Sequence, residues 1–370
     1  MPALSDAAWS EEGTTPDAIE GALRELLAER ARSGGQDGGD GFVPARVLNM
    51  VVFVESSHAD EVAERLQGVG RYHASRTVLL SYDPDRESLN AQVSIAAEGE
   101  PGPGEMALLR ETALVEIGER HLDDLATIAD PLVISDLPTL LWSPNGHSDT
   151  ADALLGLVQA TLVDSIEEPD WDRAIARACT LSERVYVVDL AWLRSTPWRE
   201  RVAATFDPLP MRAELLGLES LTVRHHPDST VAAMLFAGWL ASRLGWRLDH
   251  SRIEGQAGHA GVLAGAAKTG SGDLELRLTT APELTVPGLA GIELQCRSGL
   301  RLSLDRGPGG LRECRRQATV ERTWTLLGAS RGEGGILGEG IRQALLRDPT
   351  YLPALHAAEA LLPESGTALS

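Results

Sequence analysis

Much of what usually betrays a chemistry is scarce in this chain. There are only three cysteines, Cys179, Cys296 and Cys314, an odd number with no Cys-x-x-Cys spacing. That fits a reducing compartment better than a disulfide framework. Positive charge is short: 33 Lys and Arg against 54 Asp and Glu leave a formal charge of −21 and an isoelectric point near 4.8. A phosphate backbone requires concentrated cations, so nucleic acid and anionic membrane surfaces are poor partners. The most apolar stretch, Ser229 to Ser242, stays free of charge for only 14 residues, whereas a membrane-spanning helix needs about 20. Met1 to Gly13 has neither a basic nor an apolar leader region, so a cytoplasmic location is expected. Phosphate-cradling glycine loops are missing too, since neither G-x-x-x-x-G-K-[ST] nor G-x-G-x-x-G after a strand occurs. No cofactor and no metal is expected.

What is present is an ordinary globular composition, 43% hydrophobic and 24% charged, over 370 residues. That length allows two cores. Thr15 to Arg32 reads as an amphipathic helix, with Pro16 at its first position and Ile19, Leu23, Leu26 and Leu27 on one face. The following Ser33 to Gly41 is too polar and glycine-rich to pack, so residues 1–41 are expected to form a helical arm and linker. Apolar runs then alternate with amphipathic helices: strands at Val47–Val54, Arg76–Tyr82, Leu89–Ala97, Met106–Ile117, Thr139–Trp142, Ala160–Asp164 and Val185–Leu190. This predicts an N-terminal α/β domain over 42–205 with a mostly parallel or mixed sheet. Beyond it, alternating strands around one long apolar helix, Thr230–Leu244 closed by Gly245, predict an α+β domain over 206–370 richer in antiparallel strands. Within that helix the small residues Ala237, Gly238 and Ala241 would let another backbone approach closely.

Catalytic patterns are weak. Gly328-Ala329-Ser330-Arg331-Gly332 fits G-x-S-x-G, but the remaining chain is too short to supply the acid and histidine on later strands, so it reads as a turn. His250, Glu254 and His259 have spacings that suit no established zinc arrangement. At His225-His226, Asp228 or Ser229 is expected to cap the next helix.

Two tryptophan-bearing segments stand out: Asp136-Leu137-Pro138-Thr139-Leu140-Leu141-Trp142 and Asp189-Leu190-Ala191-Trp192-Leu193-Arg194-Ser195-Thr196-Pro197-Trp198-Arg199. Each joins an apolar strand to Trp, Pro and charge, and strand ends of an open α/β sheet are where ligands and partners are met. Neither holds a nucleophile beside a base. Asp136, Trp142, Trp192, Trp198 and Arg199 are therefore candidate partner-binding residues, weighed against plain packing, which is favoured for Trp192.

Taken in order, these segments resemble the OpcA-type glucose-6-phosphate dehydrogenase assembly proteins. The likeness starts at Leu48-Asn49-Met50-Val51-Val52-Phe53-Val54 and Ser75-Arg76-Thr77-Val78-Leu79. It is sharpest at Asp136-Leu137-Pro138…Leu141-Trp142, at Asp189-Leu190…Trp192…Thr196-Pro197-Trp198-Arg199 and at Ala237 to Gly245, and it closes on Arg347-Asp348-Pro349. Relatives often carry a second Trp where Ser143 stands here. The resemblance implies a non-enzymatic, cytoplasmic protein that promotes assembly and activation of glucose-6-phosphate dehydrogenase, its partner. It also implies the two-domain layout read above. An activator must bind the active form of its partner more tightly, and a tenfold shift requires only about 1.4 kcal/mol of coupling. The alternatives are a sugar-phosphate-binding enzyme, for which Arg76, Arg194 and Arg199 are the available cations, or a metabolite sensor on the same scaffold.

Overall fold

The computed structural model describes residues 7–34, 46–70, 74–98, 108–254, 262–328 and 332–362. The chain divides into two compact units. One holds Met1–Val163, Arg184–Val188 and Leu337–Leu346; the other holds Asp164–Glu183, Asp189–Ile336 and Arg347–Ser370. The chain thus passes between units more than once, where the sequence suggested a single boundary near residue 205.

The first unit is built on a sheet of β1 (Ala7–Glu11), β2 (Leu48–Glu55), β3 (Ser75–Tyr82), β4 (Asn90–Glu98), β5 (Leu108–Ile117), β6 (Thr139–Trp142), β7 (Ala160–Val163) and β8 (Tyr186–Asp189). Their order is β1-β4-β5-β3-β2-β6-β7-β8. β2 runs parallel to β3 and β6, β3 to β5, and β6 to β7, while β4 is antiparallel to β5 and β1 to β4. From β5 to β8 this is the 3-2-1-4-5-6 order of a doubly wound sheet, whose order reverses between β2 and β6. Met50 to Val54 is buried throughout, the continuous apolar signature of a parallel strand covered on both faces.

Four helices accompany this sheet in the chain: α1 (Pro16–Gly34), α2 (Ala59–Gly70), α3 (Leu125–Ala129) and α4 (Ser148–Ala151). The expectation of a free N-terminal arm does not hold for its described part. Ile19, Ala22, Leu23 and Leu26 are buried, α1 lies along β4, and Thr14 N–H donates to Leu89 O at 2.8 Å. The apolar stripe read from sequence needs a dry surface, and β4 supplies one. The glycine-rich stretch falls mostly outside the described residues.

The second unit contains α5 (Trp171–Ser182), α6 (Leu190–Arg194), α7 (Thr196–Phe206), α8 (Leu209–Leu215) and α9 (Thr230–Leu244). Its sheet comprises β9 (Leu218–His225), β10 (Arg247–Leu248), β11 (Arg252–Glu254), β12 (Val262–Thr269), β13 (Gly272–Thr280), β14 (Leu289–Cys296), β15 (Arg301–Gly307), β16 (Gly310–Gln317) and β17 (Val320–Leu327). The order is β10-β12-β13-β9-β14-β15-β16-β17, with β11 on β12. Only the β13–β9 pairing is parallel among those recorded in this sheet. Along β9, Leu221, Val223 and His225 point inward and Thr222 and Arg224 outward, the alternation of a sheet with one wet face.

Two last helices are α10 (Gly332–Leu346) and α11 (Tyr351–Glu359). α9 is buried almost all round and packs on α11. The close approach expected at its small residues occurs at Gly238, where an added Cβ would lie 2.2 Å from Ala354 O. Gly245 ends α9 in the left-handed conformation at φ 68°. The Gly328–Gly332 motif spans the end of β17 and the start of α10, and its centre, 329–331, lies outside the described residues.

Candidate functional site

In the first unit, the buried Asn49 near the start of β2 organises the Asp136 segment. Its side-chain nitrogen donates to Ile134 O at 2.9 Å and Thr139 Oγ1 at 3.1 Å, and its oxygen accepts from Ile134 N–H at 3.0 Å. Asp136 is exposed on the loop so fixed, at the amino end of β6. Trp142 closes the same strand at its carboxyl end, buried, with the Arg65 guanidinium 5.0 Å from its ring centroid. The two therefore stand at opposite ends of β6. Because β6 is only four residues long, one motif covers both ends of it.

Dinucleotide-binding sheets with this strand order hold a pyrophosphate in the glycine-rich turn after the strand equivalent to β2. Here that turn is Glu55-Ser56-Ser57-His58, without glycine, and Asp60 and Glu61 occupy the first turn of α2. Carboxylates thus occupy the positive end of the helix, and every residue of the turn carries a Cβ where the dinucleotide fingerprint has glycine. A dinucleotide does not fit these residues. His147, at φ 56°, packs edge-on to Phe53 and Tyr82, with Nε2 3.7 Å from Glu55. The Tyr82 hydroxyl donates to Glu119, chiefly that bond pushing its pKa up to about 12.

In the second unit, Asp189 ends β8 and caps α6, accepting from Ala191 N–H at 2.8 Å and from the Ser165 hydroxyl. Its carboxyl is fully buried, and that burial raises its pKa from 3.8 to about 6. Downstream, Arg199 lies over the Trp192 ring, 3.3 Å from its centroid, and donates to Trp192 O at 3.2 Å and Thr196 Oγ1 at 2.9 Å. The Trp192 indole donates to Asp348 Oδ2 at 3.0 Å, and its ring meets Tyr351 edge-on. Burial lowers the Arg199 pKa to about 10 against the pull of Asp348. Burial pushes Asp348 up, but donors from Thr350 and Trp192 together with Arg199 outweigh it and leave the carboxyl below its ordinary value. The buried Trp192 and Arg199 and the half-buried Asp348 thus form one mutually satisfied cluster that fixes α6, α7 and the start of α11.

Trp198 is also buried and lines an open cleft of about 560 Å³ together with Leu193, Arg194, Pro197, Arg306 and a run of glycines. Arg194 clasps Asp164 with both arms at 2.8 Å, and Arg306 donates to Leu289 O at 2.6 Å and Pro287 O at 3.0 Å. No local pattern marks Arg306, since its bonds reach Leu289 and Pro287, on a segment distant in the chain. The sequence does signal Asn49, a lone polar residue inside an apolar run. Elsewhere, Ser229 precedes α9, but its hydroxyl accepts from Gly288 N–H, and the His226 ring accepts from Asp228 N–H. Burial first, and nearby glutamates second, push the thiols of Cys179 and Cys296 up to about 12. Among the described residues no group of three His, Cys, Asp or Glu side chains could hold a metal ion, and His259 falls outside them.

Comparison with known proteins decides the family. The profile of the glucose-6-phosphate dehydrogenase subunit N-terminal domain matches residues 67–180, and that of the C-terminal domain matches 185–355. The chain belongs to the OpcA family of glucose-6-phosphate dehydrogenase assembly proteins. Among curated OpcA proteins, the putative OxPP cycle protein of Synechococcus elongatus is 28% identical over 149 residues, 39% of this chain and 34% of that protein. The one from Nostoc punctiforme is 32% identical over 132 residues, 34% of this chain and 28% of that protein. The matched stretch thus spans about a third of the length of these OpcA relatives. Among solved structures, KijD10, a 3-ketoreductase from Actinomadura kijaniata in complex with TDP-benzene and NADP, is similar with a TM-score of 0.52 at 14% identity, covering 86% of this chain and 96% of that one. At that identity the likeness to this OpcA family member is one of fold alone.

Proposed function

We propose that this chain is a non-catalytic assembly factor that binds glucose-6-phosphate dehydrogenase and favours its active oligomer, in the oxidative pentose phosphate route. The observation that carries this reading is the ordered match of both OpcA domain profiles along one chain. The acidic, glycine-free turn after β2 supports it, because a dinucleotide-type sheet there lacks the glycines that let backbone approach a phosphate and carries carboxylates in the following helix turn. Activation follows from linkage: a factor that binds the active oligomer more tightly shifts the population toward it, whatever the chemistry of the enzyme.

The five candidate residues divide by role under this proposal. Asp136, exposed and pre-positioned, contacts the partner directly. Trp142, Trp192, Trp198 and Arg199 are buried and act by holding the strand ends and α6–α7 in the shape the partner recognises. Purified dehydrogenase from the same organism, assayed for NADP reduction with and without this protein, tests the reading. Saturable activation with co-elution is expected, and Asp136→Arg should weaken it several-fold without lowering the melting temperature. No rate change together with no co-elution would sink it.

A further inference from the structure

β17 forms an edge of the second sheet, eight residues long, and its residues are exposed on both faces apart from the half-buried Leu326. Its pairing with β16 is continuous from Gln317↔Val320 to Gly310↔Leu327, with no bulge. Edges are usually blunted by Pro, Lys, bulges or brevity. The opposite edge of this sheet is blunted by brevity, ending in the two-residue β10 and the three-residue β11. The sequence Val320-Glu321-Arg322-Thr323-Trp324-Thr325-Leu326-Leu327 has no Pro, Lys or bulge and is eight residues long; its only charges are Glu321 and Arg322, and Val320, Trp324 and Leu327 are exposed.

The hairpin geometry shows which backbone groups are free to pair. Gln317 and Val320 close a two-residue turn, and Gly328 N–H donates to Gly309 O at 2.9 Å. Bonded pairs alternate along an antiparallel ladder, so the even-numbered residues of β17 bond β16. The N–H and C=O of Glu321, Thr323 and Thr325 therefore point outward.

We propose that β17 pairs antiparallel with β17 of a second copy of this chain, about a two-fold axis through Thr323. In that register the outward-pointing residues meet one another, Thr323 opposite Thr323 and Glu321 opposite Thr325, as a bonded ladder requires. Side chains on the other face match as well: Val320 meets Leu326, and Arg322 meets Trp324 twice over, a cation–π pair at closely spaced positions. The pairing also relieves a local conflict. Within the chain Arg315 stands directly opposite Arg322, and only Arg315 has a ring, lying 5.1 Å from the Trp324 centroid. The second copy brings a ring to Arg322. A two-fold contact of this kind closes on itself and does not propagate.

Sedimentation equilibrium of the full chain tests the proposal. The wild type is expected to dimerise. Thr323→Pro, which removes an N–H that β16 does not use, and Trp324→Lys should each weaken the dimer at least tenfold, with circular dichroism unchanged. Should Thr323→Pro disturb the fold, Trp324→Lys alone decides. A wild-type monomer at every concentration, or a dimer indifferent to Trp324→Lys, overturns self-pairing. So would a monomer whose Trp324→Lys variant loses only dehydrogenase binding, since that would give the edge to the partner enzyme.

Discussion

Replacing Asp189 by Asn should change how stability depends on pH, and the structure sets the size of the effect. The Asp189 carboxyl is completely buried at the start of α6, and its pKa is raised from 3.8 to about 6, first by burial and then, opposed by hydrogen bonds from Ser165 and Ala191, by the nearby Asp164. A folded-state pKa above the unfolded one means that the folded protein holds this proton more tightly. The stabilisation is therefore complete below about pH 4 and is lost as pH rises through 6. About two pKa units at roughly 1.4 kcal/mol each give about 3 kcal/mol lost across that window. Asn keeps an oxygen for the Ala191 N–H and cannot ionise. Urea unfolding of both proteins at pH 4, 5, 6 and 7, followed by tryptophan fluorescence, isolates the contribution as a difference of differences. The variant should gain about 3 kcal/mol on the wild type between pH 4 and 7. If the gap stays constant across pH, the Asp189 pKa is the same in the folded and unfolded chain, and the assignment of its burial as the dominant influence is wrong.

Gly238→Ala should force α9 and α11 apart, because the new methyl would lie 2.2 Å from Ala354 O and 2.9 Å from Ala358 N. A cost of about 1–3 kcal/mol is expected, read as a lower denaturant midpoint, and an unchanged midpoint would show that the helices shift freely. Cys179 and Cys296, both with pKa values pushed up to about 12, should react slowly with an aromatic disulfide reagent at pH 8 and rapidly once urea unfolds the chain. Fast reaction of both in the native protein would contradict the burial of Cys296 and the raised pKa of the half-buried Cys179.

Most strands of the first sheet were legible in the sequence because parallel strands covered on both faces must be apolar throughout, as Met50 to Val54 are. α9 was legible to the residue, since an apolar run whose one charge, Arg243, falls in the last turn before Gly245 admits few alternatives. β16 escaped notice because its sequence, Gly310-Leu311-Arg312-Glu313-Cys314-Arg315-Arg316-Gln317, reads as charged loop. It buries only Leu311 and Glu313, and the latter survives there through Arg201 of α7. β12 was hidden by a run of Gly and Ala with little side chain to show a period. The tryptophans announced that something mattered at two strand ends, but not whether they faced in or out. That depends on partners such as Asp348, which is 156 residues from Trp192 in the chain. Local periodicity carries no information about a contact at that distance.

The hydrogen bonds of Asn49 have a consequence for the energetics of recognition. A loop without regular secondary structure ordinarily gives up conformational freedom when a partner grips it, at about 0.5–1.5 kcal/mol for each mobile side chain stilled, with further loss from the backbone. The loop that presents Asp136 has much of that freedom removed in advance, because a single amide inside the sheet ties down Ile134 and Thr139 on either side of it. In the role proposed for Asp136, such a loop would meet the dehydrogenase as a rigid template, so contacts made there would be retained more fully as affinity. The Ile134 amide proton, although in a loop, should accordingly exchange with solvent as slowly as those of the neighbouring strands.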